Sequence, residues 1–361
     1  MKELKPFIAQ APGRVFLFGE HSDYLGLEVI SMALDRSIKI TVTPREDRDI
    51  FVKYADFDEE DSFSLDDRIE YRNKRDYLRS CFNIIQREGI KPQTGANLII
   101  EGQIPIAAGL SSSSALSNAV IMVGAKLAGR KLTKEQIVNY AFKAEVTEFG
   151  ESGGMMDHFS SAFGGIIHVD FGEKISLTEL PVKLKGIIIG DSEQKKKDTV
   201  GDLRMIRTTV EKGYKILGEI IPNFSHRKTS LEEILKHSNE LPKDCQLMTI
   251  TTIRNRDLTR KALSFFKRGI SSEKILGQMI DEEHLLLRDG FKRSTKKIEK
   301  IISAAKKAGA LGCKINGSGG GGTILAFAPG REDKVSEAIK EAGGIPYKME
   351  SGKGATILPF S

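Results

Sequence analysis

The chain predicts an α+β fold in two lobes, and three observations predict it. Strand-like alternation and helical spacing take turns along the first half. Near Asp191 the composition turns charge-rich and helical, without compact glycine motifs. A second run of strands and helices around a glycine cluster then closes the chain. At 361 residues there is room for two domains, here drawn as 1–188 and 189–361. No Gly-x-Gly-x-x-Gly turn opens a βαβ unit, so a doubly wound sheet is not expected.

Each element follows from local pattern. Ser37-Ile38-Lys39-Ile40-Thr41-Val42-Thr43 has a clean two-residue period and reads as a strand, as does Ala96-Asn97-Leu98-Ile99-Ile100. Tyr77 to Arg87 has helical spacing. A serine-rich loop then feeds a helix to about Leu127. Thr133, with Glu135 behind it, opens a helix reaching Thr147. Residues 162–171 and 186–190 read as strands. The second α/β stretch is a helix over 295–308, strands at 313–315 and 323–327, a helix over 332–342 and a strand at 355–358.

Composition excludes several classes. No apolar run approaches the length of a membrane span or a signal-peptide core, so a cytoplasmic protein without membrane contact is expected. Cys81, Cys245 and Cys313 are odd in number and far apart, which fits reduced thiols better than disulfides or a zinc site. The formal charge of +6 suits a cleft for a polyphosphate, whereas scattered basic residues and the absence of Trp argue against nucleic acid. The run Lys195-Lys196-Lys197 reads as solvated surface.

Four motifs carry chemistry. Gly109-Leu110-Ser111-Ser112-Ser113-Ser114 precedes a small-residue apolar helix. A helix start has unpaired N–H groups and the positive end of the dipole, a setting for phosphate. An ordinary N-cap is the plainer reading of a serine there. In Gly13-Arg14 through Gly19-Glu20-His21-Ser22-Asp23-Tyr24 an apolar strand interrupted by Arg14 ends in clustered polar groups. Such groups suit hydroxyls that both donate and accept, or else form a capped surface turn. Gly153-Gly154-Met155-Met156-Asp157 sets one carboxylate at a helix start, as a catalytic group or as a cap. Gly317-Ser318-Gly319-Gly320-Gly321-Gly322 permits close backbone approach, or is a flexible turn.

Together, in this order, the motifs resemble the GHMP small-molecule kinases over nearly the whole chain. Pro105 through Ala115 is similar to the family's phosphate motif, and Lys314 through Thr323 to its C-terminal glycine motif. Gly19 through Tyr24, Gly154 through Phe159 and His284 through Asp289 are most similar to the galactokinase branch. The unbroken glycines at 319–322 depart from that branch, as does Val200-Gly201-Asp202, where galactokinases carry Ser-Glu-Tyr with a sugar-contacting tyrosine.

The resemblance implies a ribosomal-protein-S5-like N-terminal domain and a ferredoxin-like C-terminal domain. It implies an ATP-dependent sugar kinase acting on the anomeric hydroxyl of a hexose or related sugar, as a monomer or small homo-oligomer. Asp157 and Arg14 would be catalytic. Ala108, Gly109, Leu110, Ser111, Ser112, Ser113, Ser114, Gly319 and Gly320 would bind ATP. Glu20, His21, Asp23 and Gly154 would hold the sugar, and Ser113 with Glu145 would ligate Mg²⁺. Two alternatives stand beside this: a kinase for another alcohol, mevalonate-like or a sugar acid, and a silent sensor of sugar and ATP.

Overall fold

The computed structural model describes residues 4–66, 68–105, 109–196 and 198–360. In chain order, the elements of the first part are β1 (Phe7–Phe18), β2 (Glu28–Pro44), β3 (Asp49–Tyr54), β4 (Glu59–Ser64), α1 (Tyr77–Arg87), β5 (Ala96–Gly102) and α2 (Ser112–Leu127). Then come α3 (Lys134–Phe142), α4 (Met156–Phe163), β6 (Ile166–Asp170), β7 (Ser176–Leu180) and β8 (Ile187–Asp191). The remainder is α5 (Thr199–Ile220), α6 (Leu231–Lys236), α7 (Lys243–Lys267), α8 (Glu273–Leu285), α9 (Lys296–Lys307), β9 (Gly312–Asn316), β10 (Thr323–Phe327), α10 (Glu332–Glu341), β11 (Ile345–Met349) and β12 (Thr356–Pro359).

Two sheets organise these elements into an α+β architecture. The larger runs β12-β1-β2-β5-β3-β4, with β6 joined to β2 and β7 to β6. Strand β2 is long enough to serve two partners on one edge, β6 along its first half and β5 along its second. The smaller sheet, β11-β8-β10-β9, is antiparallel throughout. Helices α9 and α10 cover one face of it, packing Ile298, Ile301, Val335 and Ile339 onto Ile188 and Ile324. Helix α2 is buried almost all round between the large sheet and α1, which explains its run of Ala, Val and Gly.

Three local expectations change. Residues 162–171 do not form one strand: Met156, Phe159 and Ala162 pack as the apolar face of α4. Gly164 and Gly165, both at positive φ, then turn the chain into β6. The cap of α3 is Thr133, but its reciprocal partner is Gln136 rather than Glu135. That helix continues as a wider-wound turn at Lys143–Thr147, which carries Glu145.

The boundary at 188 also divides the chain differently from the sheets. Strand β8 belongs to the smaller sheet, and the C-terminal strand β12 returns to pair Phe7↔Pro359 through Gln10↔Thr356 on the outer edge of β1. An unpaired edge of β1 would leave backbone donors and acceptors open, and the pairing that closes it joins the two ends of the chain.

Candidate active site

The site begins with β1. Its alternation sends Val15 and Leu17 into the core, and Arg14 lies 5% exposed on the other side. A buried guanidinium needs partners. Its Nε donates to Asp157 Oδ1 at 2.6 Å, Nη2 to Asp157 Oδ2 at 2.7 Å, and Nη1 to the carbonyl of Gly109 at 2.8 Å. Arg14 thus forks onto the carboxylate at the start of α4 and reaches the serine loop as well. Burial would raise the Asp157 pKa, but the Arg14 charge, its hydrogen bonds and that from Ser111 together hold it below the usual carboxylate range.

The serine loop leaves the start of α2 open. Ser111, at φ +58°, turns its hydroxyl to Asp157 and does not cap α2. Thr133, Ser272 and Thr295 cap the starts of α3, α8 and α9, whereas α4, α7 and α10 start without a side-chain cap. The start of α2 has no side-chain cap and faces a cleft of about 570 Å³ lined by Gly109, Leu110 and Ser111 through Ser114. Uncapped N–H groups at a helix start invite an anion. Ala108, the remaining expected phosphate contact, lies outside the described residues.

The two expected metal ligands line the same cleft. Glu145 is 8% exposed, and its Oε2 stands 2.8 Å from His158 Nε2. Ser113 sits in the first turn of α2. Both present oxygen donors of the hard kind that Mg²⁺ prefers.

The polar turn after β1 closes the other end. His21 adopts φ +64°, places Nδ1 2.8 Å from the Tyr24 hydroxyl, and leaves Nε2 buried without a partner among the described residues. Burial first, then the charges of Arg293, Lys196 and Lys314, push its pKa down to about 3, so the ring is neutral. Asp23 accepts from the Met156 N–H at 3.3 Å. Burial and then the neighbouring Asp157 charge raise its pKa to about 6. Gly154 lies flush against the Asp23 carboxylate, where a Cβ would overlap it.

Glu20 reaches the cleft wall but spends its carboxylate elsewhere. It is 2% exposed, pairs through Oε2 with Lys314 Nζ at 2.7 Å, and accepts from the Gly317 N–H. Lys314, fully buried, also meets Glu283 Oε2 at 3.2 Å. Glu283 in turn accepts from the N–H groups of Gly19 and Glu20 at 2.8 and 3.1 Å. A lysine with no solvent requires such counter-charges. Burial, eased by Lys314 and reinforced by the Glu283 charge, raises the Glu20 pKa to about 7.

Sequence reasoning treated Lys195–Lys197 as solvated surface, and for Lys196 the structure overturns this. Its Nζ stands 3.0 Å from Ser318 Oγ and against Gly109, lining the cleft with Lys195. Lys197 lies outside the described residues. Burial, then Arg14, lowers the Lys196 pKa to about 8. A lysine in a basic run carries no signal of which member folds inward. Lys314, Glu283 and Asn316, which donates to the Gly109 carbonyl at 3.2 Å, join the site through partners distant in sequence.

The second glycine loop is only half in the cleft. Gly317 and Ser318 line it. Gly319 and Gly320 instead pack on Arg293, whose carbonyl accepts from the Gly320 N–H at 2.8 Å.

Comparison with known proteins gives a consistent picture. Three family descriptions match the chain: "GHMP kinases N terminal domain" over 76–165, "GHMP kinases C terminal" over 262–345, and "Galactokinase galactose-binding signature" over 2–44. The chain is 32% identical to the mevalonate kinase of Pyrococcus furiosus over 95% of both chains. It is 29% identical to the galactokinase of Roseiflexus sp., over 97% of this chain and 90% of that one. Lactococcus lactis galactokinase complexed with galactose superposes with a TM-score of 0.86 at 22% identity, covering 97% and 95% of the two chains. The Methanococcus jannaschii mevalonate kinase gives 0.73 at 19% identity, covering 95% and 98%.

Proposed function

We propose, for a chain that belongs to the GHMP kinases and is a phosphotransferase with an alcohol acceptor, that the acceptor is a sugar and the product a sugar 1-phosphate. The observation that carries this reading is the turn Glu20–Tyr24, which sets Asp23 and a His21 Nε2 with no partner among the described residues in one cleft with the Arg14–Asp157 pair. A buried ring nitrogen and a carboxylate complement the paired hydroxyls of a sugar. The same stretch lies inside the galactose-binding signature.

The residues divide the work. The uncapped start of α2 and the loop from Gly109 receive the phosphates of ATP, with Lys196 as a cation above them. Ser113 and Glu145 would hold Mg²⁺, which supplies charge neutralisation at the phosphates. Asp157 orients the sugar hydroxyl. A carboxylate held this low is a weak proton acceptor, and in a loose transition state the nucleophile releases its proton late. Arg14 stands within reach of both the carboxylate and the serine loop, so its charge is positioned for the transferring phosphoryl group.

A second reading is supported by the likeness to the Pyrococcus mevalonate kinase: a kinase for a non-sugar alcohol. ADP release with ATP and Mg²⁺, measured across a panel of hexoses and mevalonate, separates the two. Sugar-dependent ADP with a sugar 1-phosphate by ³¹P NMR is the expected result. Turnover of mevalonate alone would overturn it, and sugar-dependent thermal stabilisation without any turnover would indicate a sensor.

A further inference from the structure

One wall of the cleft has no part in the chemistry so far. Helix α5 carries Val200, Leu203, Ile206 and Val210 at helical spacing along one face. Ile206 and Val210 are fully buried in the core beside Leu25, with Tyr24 packed against the same cluster. One turn nearer the helix start the stripe runs out of protein to cover it. Val200 and Leu203 are half-buried and line the cleft.

The helix thus faces the turn that carries Asp23 and Tyr24. The sugar compartment has a polar side, Asp23 and His21 Nε2, and an apolar side, Val200 and Leu203. Thr199, at the start of α5, lines the cleft beside them.

An ordinary hexose presents hydroxyls on every edge, including the exocyclic hydroxymethyl. Against Val200 and Leu203 that last hydroxyl would lose its water without gaining a partner, which disfavours it. A methyl group there would instead cover the apolar surface left open on the stripe. Resting on the sugar-kinase reading above, we propose that the substrate is a 6-deoxyhexose, with its methyl group on Val200 and Leu203 and its ring hydroxyls on Asp23 and His21. Val200 and Leu203 are then specificity-determining residues.

The test is a matched pair of sugars differing only in that hydroxyl, D-galactose and 6-deoxy-D-galactose, with kcat/KM measured for each. The 6-deoxy sugar is expected to be favoured by roughly 10- to 100-fold, the range that a single apolar group achieves in a pocket. Leu203→Asn should reduce or reverse the ratio. Val200→Thr, nearly isosteric, should lower it in the same direction should the first variant fold poorly. Galactose used equally or better, or a ratio that neither substitution moves, would overturn the inference and leave the sugar-kinase reading standing. Turnover of neither sugar alongside turnover of mevalonate would overturn both.

Discussion

The two glycine-containing loops look alike as text, and the fold puts them to different uses. In the first, Gly109 to Ser114, the backbone turns through positive φ at Gly109 and Ser111. Its helix start is left uncapped, and its residues line the cleft. In the second, only Gly317 and Ser318 reach that cleft. Gly319 lies against the Arg293 backbone, where a Cβ would stand 2.5 Å from the Arg293 Cβ, and Gly321 lies against Gln194. One loop lines the cleft beside the Lys196 amine. The other is small to let two strands of chain meet. Glycine content alone does not separate close approach of a ligand from close approach of protein.

The largest expected effect lies on the ligand-facing side. Asp157→Ala should lower kcat by about 10²- to 10⁴-fold, the size of combined positioning and proton-acceptor effects. Calorimetric ATP affinity should stay near that of the unchanged protein. Near-normal turnover would remove Asp157 from the chemistry.

Lys196 joins the two loops, and its loss should rank next. Lys196→Met should reduce kcat/KM for ATP by about 10- to 100-fold, as for a charge-assisted contact to phosphate. The sign of the pH effect is fixed by its lowered pKa. The amine is charged below about 8 and neutral above, so activity should fall as pH rises through that value. Lys196→Arg should carry that limb upward, beyond the measured range. An alkaline limb unchanged in the Arg variant would assign it to another group.

The contrast between the loops is sharpened by a pair of substitutions. Gly109 and Gly319 have φ of +73° and +68°, so alanine at either costs stability. A drop in Tm of about 1–2 °C per kcal/mol lost is expected for each. Only Gly109→Ala should also raise the KM for ATP, because its Cβ would meet the Lys196 amine at 2.9 Å. Equal effects on ATP from both would place the second loop on the nucleotide after all.

The smallest effect concerns Asp23. With its pKa raised to about 6, it gains a proton as pH falls through that value and loses its strength as an acceptor. The KM for sugar should rise by about an order of magnitude by pH 5, with kcat little changed. Asp23→Asn should abolish that pH dependence.

Much of this site was legible before folding. The serine loop, the helix start at Asp157, the polar turn at Glu20–Tyr24 and most of the elements around them follow from neighbours within a few residues. Caps, positive-φ glycines and apolar periodicity act over a single turn, so the order of residues is enough to place them. The family resemblance rests on those same short segments.

Charge state and pairing belong to the tertiary structure. Arg14 and Asp157 lie 143 residues apart, and Glu20 and Gly317 lie 297 apart. The sequence offers Glu20 as a sugar contact. The fold commits its carboxylate to Lys314, because a lysine sealed from water requires a counter-charge close by. The same burial turns Lys196 from one of three surface cations into one facing the phosphate loop, and raises Asp23 toward neutrality. It also seats the last strand beside the first. Local sequence sets backbone geometry through short-range sterics. Desolvation and the field of distant charges exist only once the chain has closed around them, and these decide what each side chain is free to do.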